Sequence, residues 1–425
     1  MILKNVDMLT HARIIKMHDA ISRIVLASPT SSFADIIESD RESFRGLEVV
    51  YSTNSTTSEV LGGSFKSIEE KCPILKNYFY GSAVLFYTDV IYERTLSEGT
   101  INIPLEYSFV LDSNAAERFR IFENGGNLGA DEESFDSLLR FLYGGDEGGL
   151  RMNFGFFMLE NLENARNLSN MRPFNTIRAI KRCRSLVYSD GRVDIRNPKF
   201  TEGREEVGRE AARTIYEYQS DAKIAELAFS RLVVYASLLK LAEMSMGDKR
   251  RRRDKLRDFI EFITDSLGKF AKLEAYIAWK FLKHGEDLRF FSPIMNPRPN
   301  MISKLKGMSW DIYSMRFLET MGSESRMADF YLPFFATYDN RFRELFDFCP
   351  VQAVVIDREI GQMTTVFLDE MDFQSDVRAS LDSRSRDRLF GVDRRMGRLR
   401  SAPDYEQVKR DVEMLEGRIR ARVEH

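Results

Sequence analysis

Apolar residues at helical spacing open the chain. Val6, Leu9, Ile14, Ile15, Ile21, Ile24 and Val25 predict an amphipathic helix over residues 4–26, which ASPTSSFADII then breaks. The run LEVVYSTNSTTSEVLGG begins as a strand and ends in Ser/Thr-rich turn residues, while YFYGSAVLFYTDVIY (78–92) is apolar enough for either a buried strand or a helix. EYSFVLDSNAAERFRIF (106–122) reads more simply, as a strand ending at Asp112 and a helix opened by Ser113 or Asn114. A helix is expected in ESFDSLLRFLY, then an apolar strand in RMNFGFFMLENLENARN (151–167) running into a helix that Glu160 and Glu163 open.

The pattern then changes. Ile224, Leu227, Ala228, Leu232, Tyr235, Leu238 and Leu239, followed by Leu256, Ile260, Ile263, Leu267 and Phe270, predict two long antiparallel helices over 204–247 and 254–284. A basic turn, Lys249, Arg250, Arg251, Arg252 and Arg253, joins them. Strand and helix alternate again in SWDIYSMRFLETM (helix), YLPFFATYD (strand), NRFRELFDF (helix) and VQAVVID (strand), and the polar, Arg-rich end of the chain closes on a helix, DYEQVKRDVEMLEGRIRARV. Strands alternating with helices predict an α/β core with a largely parallel sheet, split by a helical insertion.

Composition supports a folded chain. Of 425 residues 43% are hydrophobic and 12% aromatic, so there is room for more than one core. Net charge is -3, with 62 Lys and Arg against 65 Asp and Glu, so attraction to nucleic acid has to come from local clusters. One such cluster is the 249–253 turn, a tentative nucleic-acid contact; as a bland alternative it is a solvated turn. Arg172, Arg178, Lys181, Arg182 and Arg184 make a second. Three widely spaced cysteines argue against a disulfide framework or a cysteine zinc site. No signal peptide or membrane span is read, so a cytoplasmic setting is expected. GxxxxGK[ST] and GxGxxG are both missing, which disfavours nucleotide hydrolysis and dinucleotide redox chemistry.

The acids carry the candidate chemistry. Asp112 and Asp339 end strands, Glu160 and Glu163 stand at a helix start, and Asp311 is placed near the start of its helix. Ligands collect outside the carboxyl ends of parallel strands. Carboxylates gathered there repel one another unless a divalent cation neutralises them, and an all-oxygen donor set selects Mg or Mn. The structural alternative is that each acid caps a helix or turn.

FVLDSN, the apolar run into LEN, the helical Asp311 and FATYDNRF followed by a short helix and VQAVVID resemble PIN-like domains, the metal-dependent ribonuclease fold. The resemblance covers about 107–170 and 300–357. It implies Asp112, Glu160, Asp311 and Asp339 as catalytic metal ligands, with Glu163 as fallback for the second, and Asn114 and Thr337 as supporting groups. The implied organisation is an N-terminal extension (1–100), a PIN-like core (101–170 and 300–370), a helical insertion (171–299) and an Arg-rich tail (371–425). The implied activity is Mg- or Mn-dependent hydrolysis of phosphodiesters, in RNA rather than DNA, with a bacterial toxin or defence role and room for a protein inhibitor or a homo-oligomer. The alternative is a non-catalytic interaction or regulatory protein on the same α/β scaffold, its helices serving as partner surfaces.

Overall fold

Phe109, Val110 and Leu111 are buried in succession, the pattern of a strand covered on both faces, and Asp112 then turns the chain into the helix Ser113–Glu123. The computed structural model describes residues 2–27, 31–54, 65–99, 101, 103, 105–143, 152–167, 169–188, 193–247, 250–268, 271–322, 330–391 and 404–423. Within them are β1 (Glu48–Thr53), β2 (Leu75–Asn77), β3 (Ala83–Tyr87), β4 (Leu105–Leu111), β5 (Met152–Asn153), β6 (Phe330–Ala336), β7 (Val351–Asp357) and β8 (Gln362–Phe367).

The chain is a mixed α/β protein, mostly helical, with two four-stranded sheets. The first has the order β2-β6-β4-β5: β4 pairs in parallel with β6 and β5, and β2 lies antiparallel on the far edge of β6. The second, β3-β1-β7-β8, is antiparallel throughout. A single largely parallel sheet is therefore corrected on two counts. β2 was not foreseen, and VQAVVID belongs to the second sheet, between β1 and the unforeseen β8. Its run of four apolar residues, Ala353 to Ile356, is what a strand covered on both faces needs. Ala353 and Val355 face a small core under the helices Ile2–Leu26 and Phe33–Ser39, whereas Val354 and Ile356 face the large core shared with the first sheet. The 1–100 segment thus supplies strands to both sheets.

Three local expectations shift. GFFMLE is the helix Gly155–Glu160 and leaves only Met152–Asn153 as strand, so Glu160 closes a helix instead of opening one. Residues 155–159 are all buried, and a run apolar on every side shows no period that separates strand from helix. Asp311 lies in the middle of its helix, because Met301, Leu305 and Met308 extend the buried stripe upstream to give Met301–Gly322. The two long helices are four pieces, Arg204–Ser220, Ala222–Ser245, Arg252–Glu261 and Lys272–His284; Asp221 makes the first break by accepting the Lys223 N–H at 2.9 Å. The ambiguous 78–92 run is both things, β3 followed by the helix Asp89–Glu98 that Thr88 caps.

Candidate active site

β4, β5 and β6 run in one direction, so the segments leaving their carboxyl ends emerge at one edge of the first sheet. Asp112 follows β4, and its backbone N–H still bonds Ala336 O of β6 at 3.1 Å. Thr337 follows β6 and is fully buried, with its N–H on Ile74 O beside β2. The Asp339 N–H donates to Thr337 Oγ1 at 3.0 Å, and the Thr337 hydroxyl in turn bonds the Asp112 carboxylate. This relay ties the ends of two neighbouring strands together.

Glu160 and Asp311 come from the helices that cover the sheet. Phe156, three residues after β5, packs against Phe335 of β6 (ring centroids 5.5 Å apart), Phe317 (5.8 Å) and Trp310 (6.1 Å). That cluster fixes Gly155–Glu160 against both β6 and Met301–Gly322. Gly155 leaves room for its neighbours, since a Cβ would meet Asn153 Oδ1 at 2.8 Å and the Tyr218 hydroxyl at 2.9 Å and displace those side chains. The Glu160 carboxylate accepts the Ser113 hydroxyl, and Asn161 Nδ2 donates to Ser113 Oγ at 3.0 Å.

Asp112 and Asp311 feel the other carboxylates. Burial, above all, pushes Asp112 up to about 7; Thr337 and the Ala115 N–H oppose it, and the charges of Glu160 and Asp339 add to it. Asp311 is pushed up to about 8, by burial first and then by Glu160, Asp339 and Asp112, with Arg341 offsetting part of the effect. Burial also raises Glu160, against the Ser113 hydrogen bond. Arg341 Nη2 lies 3.2 Å from Asp339 Oδ2 and is mostly exposed, at 68%. Among the described residues no donor bonds the Asp311 side chain.

The cap reading also holds for two of the acids. Asp112 Oδ1 accepts the Ala115 N–H and Asp339 Oδ1 the Arg341 N–H, each at the start of a helix. Glu163 is separate from the group, 82% exposed and paired with Arg166. Asn114 is exposed on the first helical turn, and the polar companion that touches an acid is its neighbour Ser113. Ser113, Asn161 and Arg341 were missed. Ser113 directly follows Asp112 in FVLDSN, and Arg341 lies two residues past Asp339 in YDNRF, so both were within reach of a spacing argument.

The donors are hard oxygens in surplus over nearby positive charge, chemistry that suits Mg or Mn. Among the described residues, however, no three His, Cys, Asp or Glu side chains stand close enough together to form a ready-made metal cage. A cation would have to draw the carboxylates inward.

The basic segments do not converge here in any recorded contact. Arg250 pairs with Asp258 and Arg251 with Asp254 on the helix they precede, Arg252 and Arg253 are exposed, and Lys249 lies outside the described residues. The 172–184 cluster is internal. Arg178, Arg182 and the later Arg204 surround the buried Glu123, Arg172 pairs with Glu117, and Lys181 and Arg184 pair with Glu210. No helix among the described residues is long and apolar enough to cross a membrane. No protein family, curated protein or solved structure matches this chain.

Proposed function

We propose that the chain is a PIN-like nuclease that hydrolyses phosphodiester bonds, in RNA rather than DNA, using Mg or Mn. The observation that carries the reading is the mutual charge of Asp112, Glu160, Asp311 and Asp339, brought from four separate elements to one sheet edge with Arg341 as the offsetting cation. A fold does not bury carboxylates side by side without cost, and Asp112 and Asp311 are raised by burial first and by their acidic neighbours second.

Asp112, Glu160, Asp311 and Asp339 would hold the metal, which when bound supplies charge stabilisation for the phosphate and a more acidic water. The chain's own groups divide the remaining work. Thr337 orients the Asp112 carboxylate through its hydroxyl, and Ser113, held by Asn161, does the same for Glu160. Asp311, raised by burial first and then by the other acids, is the ligand whose charge a bound cation would relieve most. The exposed 250–253 arginines extend the reading to an electrostatic contact with the nucleic-acid backbone.

A second reading rests on the capping bonds of Asp112 and Asp339: a non-catalytic scaffold whose acids serve helix ends. Titration with Mn separates the two. On the nuclease reading the wild-type chain binds Mn, and Asp112→Asn and Asp339→Asn each weaken binding at least tenfold while keeping the cap, since Asn caps about as well as Asp. Wild-type affinity in both variants, or no binding in any chain, decides for the scaffold.

A further inference from the structure

We propose that a cavity at the seam of the two sheets is a binding site for a guanidinium group, as carried by an arginine side chain. The cavity, about 320 Å³, opens where the chain leaves β2 and crosses to the second sheet, and the end of the Asn340–Phe348 helix closes its far wall. Its size falls in the range of small-ligand sites. The proposal stands independently of the nuclease reading.

Four features of the wall specify the ligand. Glu69 is half-buried, and among the described residues no cation pairs with it; its Oε1 accepts the Asn77 backbone N–H at 3.0 Å and Asn77 Nδ2 at 2.7 Å, leaving Oε2 without a donor. Asn77 is 7% exposed, and its Oδ1 has no hydrogen-bond partner. Glu69 fixes the orientation of that amide, because turning it over would set two acceptors against each other. Tyr80 presents a ring 43% exposed at the cavity, its hydroxyl held at 2.7 Å by Asn54 Nδ2. Lys76, the cation of the wall, is already matched by Asp347 at 2.8 Å.

Acceptors thus outnumber donors, and one carboxylate is uncompensated beside an aromatic face. A planar cation with in-plane N–H groups answers all of these at once: it neutralises Glu69, supplies donors to Oε2 and the Asn77 oxygen, and lies on Tyr80. A neutral base leaves Glu69 unpaired, and an ammonium lacks the flat fork. The wall is also pre-set. Gly81 donates to Ser52 Oγ at 2.6 Å, and a Cβ there would meet that oxygen and Thr53 O at 2.5 Å, so the crossover is pressed against β1.

The test is calorimetric titration of the full chain with arginine amide, lysine amide and guanosine monophosphate. Arginine amide is expected to bind saturably, and Glu69→Gln, which keeps a carbonyl for Asn77, to weaken it about tenfold. Tyr80→Ala, at an exposed position, is expected to weaken it severalfold without changing the melting temperature. No saturable binding of arginine amide overturns the proposal, as does equal affinity in wild type and Glu69→Gln. Equal binding of lysine amide, or binding of the nucleotide alone, overturns the guanidinium assignment.

Discussion

Asp112 serves two ends with one side chain. It caps the helix Ser113–Glu123 through Ala115 and bonds Thr337, while its charge reaches Glu160 and Asp339. Capping and chemistry are therefore not alternatives at this position, and a reading that weighs them against each other residue by residue is bound to stall. The sign of its titration follows from its position. Asp112 at about 7 and Asp311 at about 8 keep protons in the folded chain that an unfolded carboxylate releases near 3.8. The folded state therefore binds more protons than the unfolded state between those values, and its stability falls as pH rises through that window. Without divalent ions, urea denaturation is expected to give a more stable chain near about pH 5.5 than near about pH 8, by on the order of a few kcal/mol, with Asp311→Asn flattening the profile. A stability that rises over the same interval contradicts the burial and repulsion assigned to these groups.

Among elements, those with one apolar face and a polar end were legible from the chain. The Asn340–Phe348 helix lies where NRFRELFDF predicts it, while β7, buried on both faces, is legible from the β-branched residues of VQAVVID. Where burial surrounds an element the period is lost, and Gly155–Glu160 was read as strand for that reason. The sequence singles out Asp311 and Glu160 as residues but misplaces them on their helices, because those places depend on packing. Phe156 supplies the packing by joining β6, Met301–Gly322 and the helix that ends at Glu160. Phe156→Ala is expected to lower stability by about 3–5 kcal/mol in chemical denaturation and to abolish Mn binding even under conditions where the variant remains folded. A loss below about 1 kcal/mol with Mn affinity intact removes Phe156 from this role.

Across the whole molecule, the insertion and the tail are one packed unit. Val408, Val412, Leu415 and Ile419 of the terminal helix Tyr405–Val423 are buried, and Arg418 and Arg422 bond the side chain and backbone of Glu243 on Ala222–Ser245. Sequence showed the helix and left its role open, since Arg-rich composition reads alike for an arm and for a helix whose cations pair with a neighbour. Insertion and core are tied by a network in which Arg316 of Met301–Gly322 pairs with Glu274 of Lys272–His284 and with Glu319, and Glu319 accepts from Thr365 of β8. Ending the chain at residue 403 is expected to expose the apolar face of Ala222–Ser245, lower the melting temperature and promote aggregation in light scattering. A truncated chain that stays monomeric with an unchanged melt contradicts this packing.

Cleavage of a phosphodiester backbone is the proposed activity of the acids at the edge of the first sheet. Its most direct measurement is cleavage of mixed RNA and single-stranded DNA by wild type, Asp112→Asn and Asp339→Asn, with Mn and with chelator. Mn-dependent cleavage of RNA by wild type is expected, with at least a hundredfold loss in each variant and none with chelator. Equal cleavage by all three chains, or no cleavage of either substrate by wild type, contradicts it.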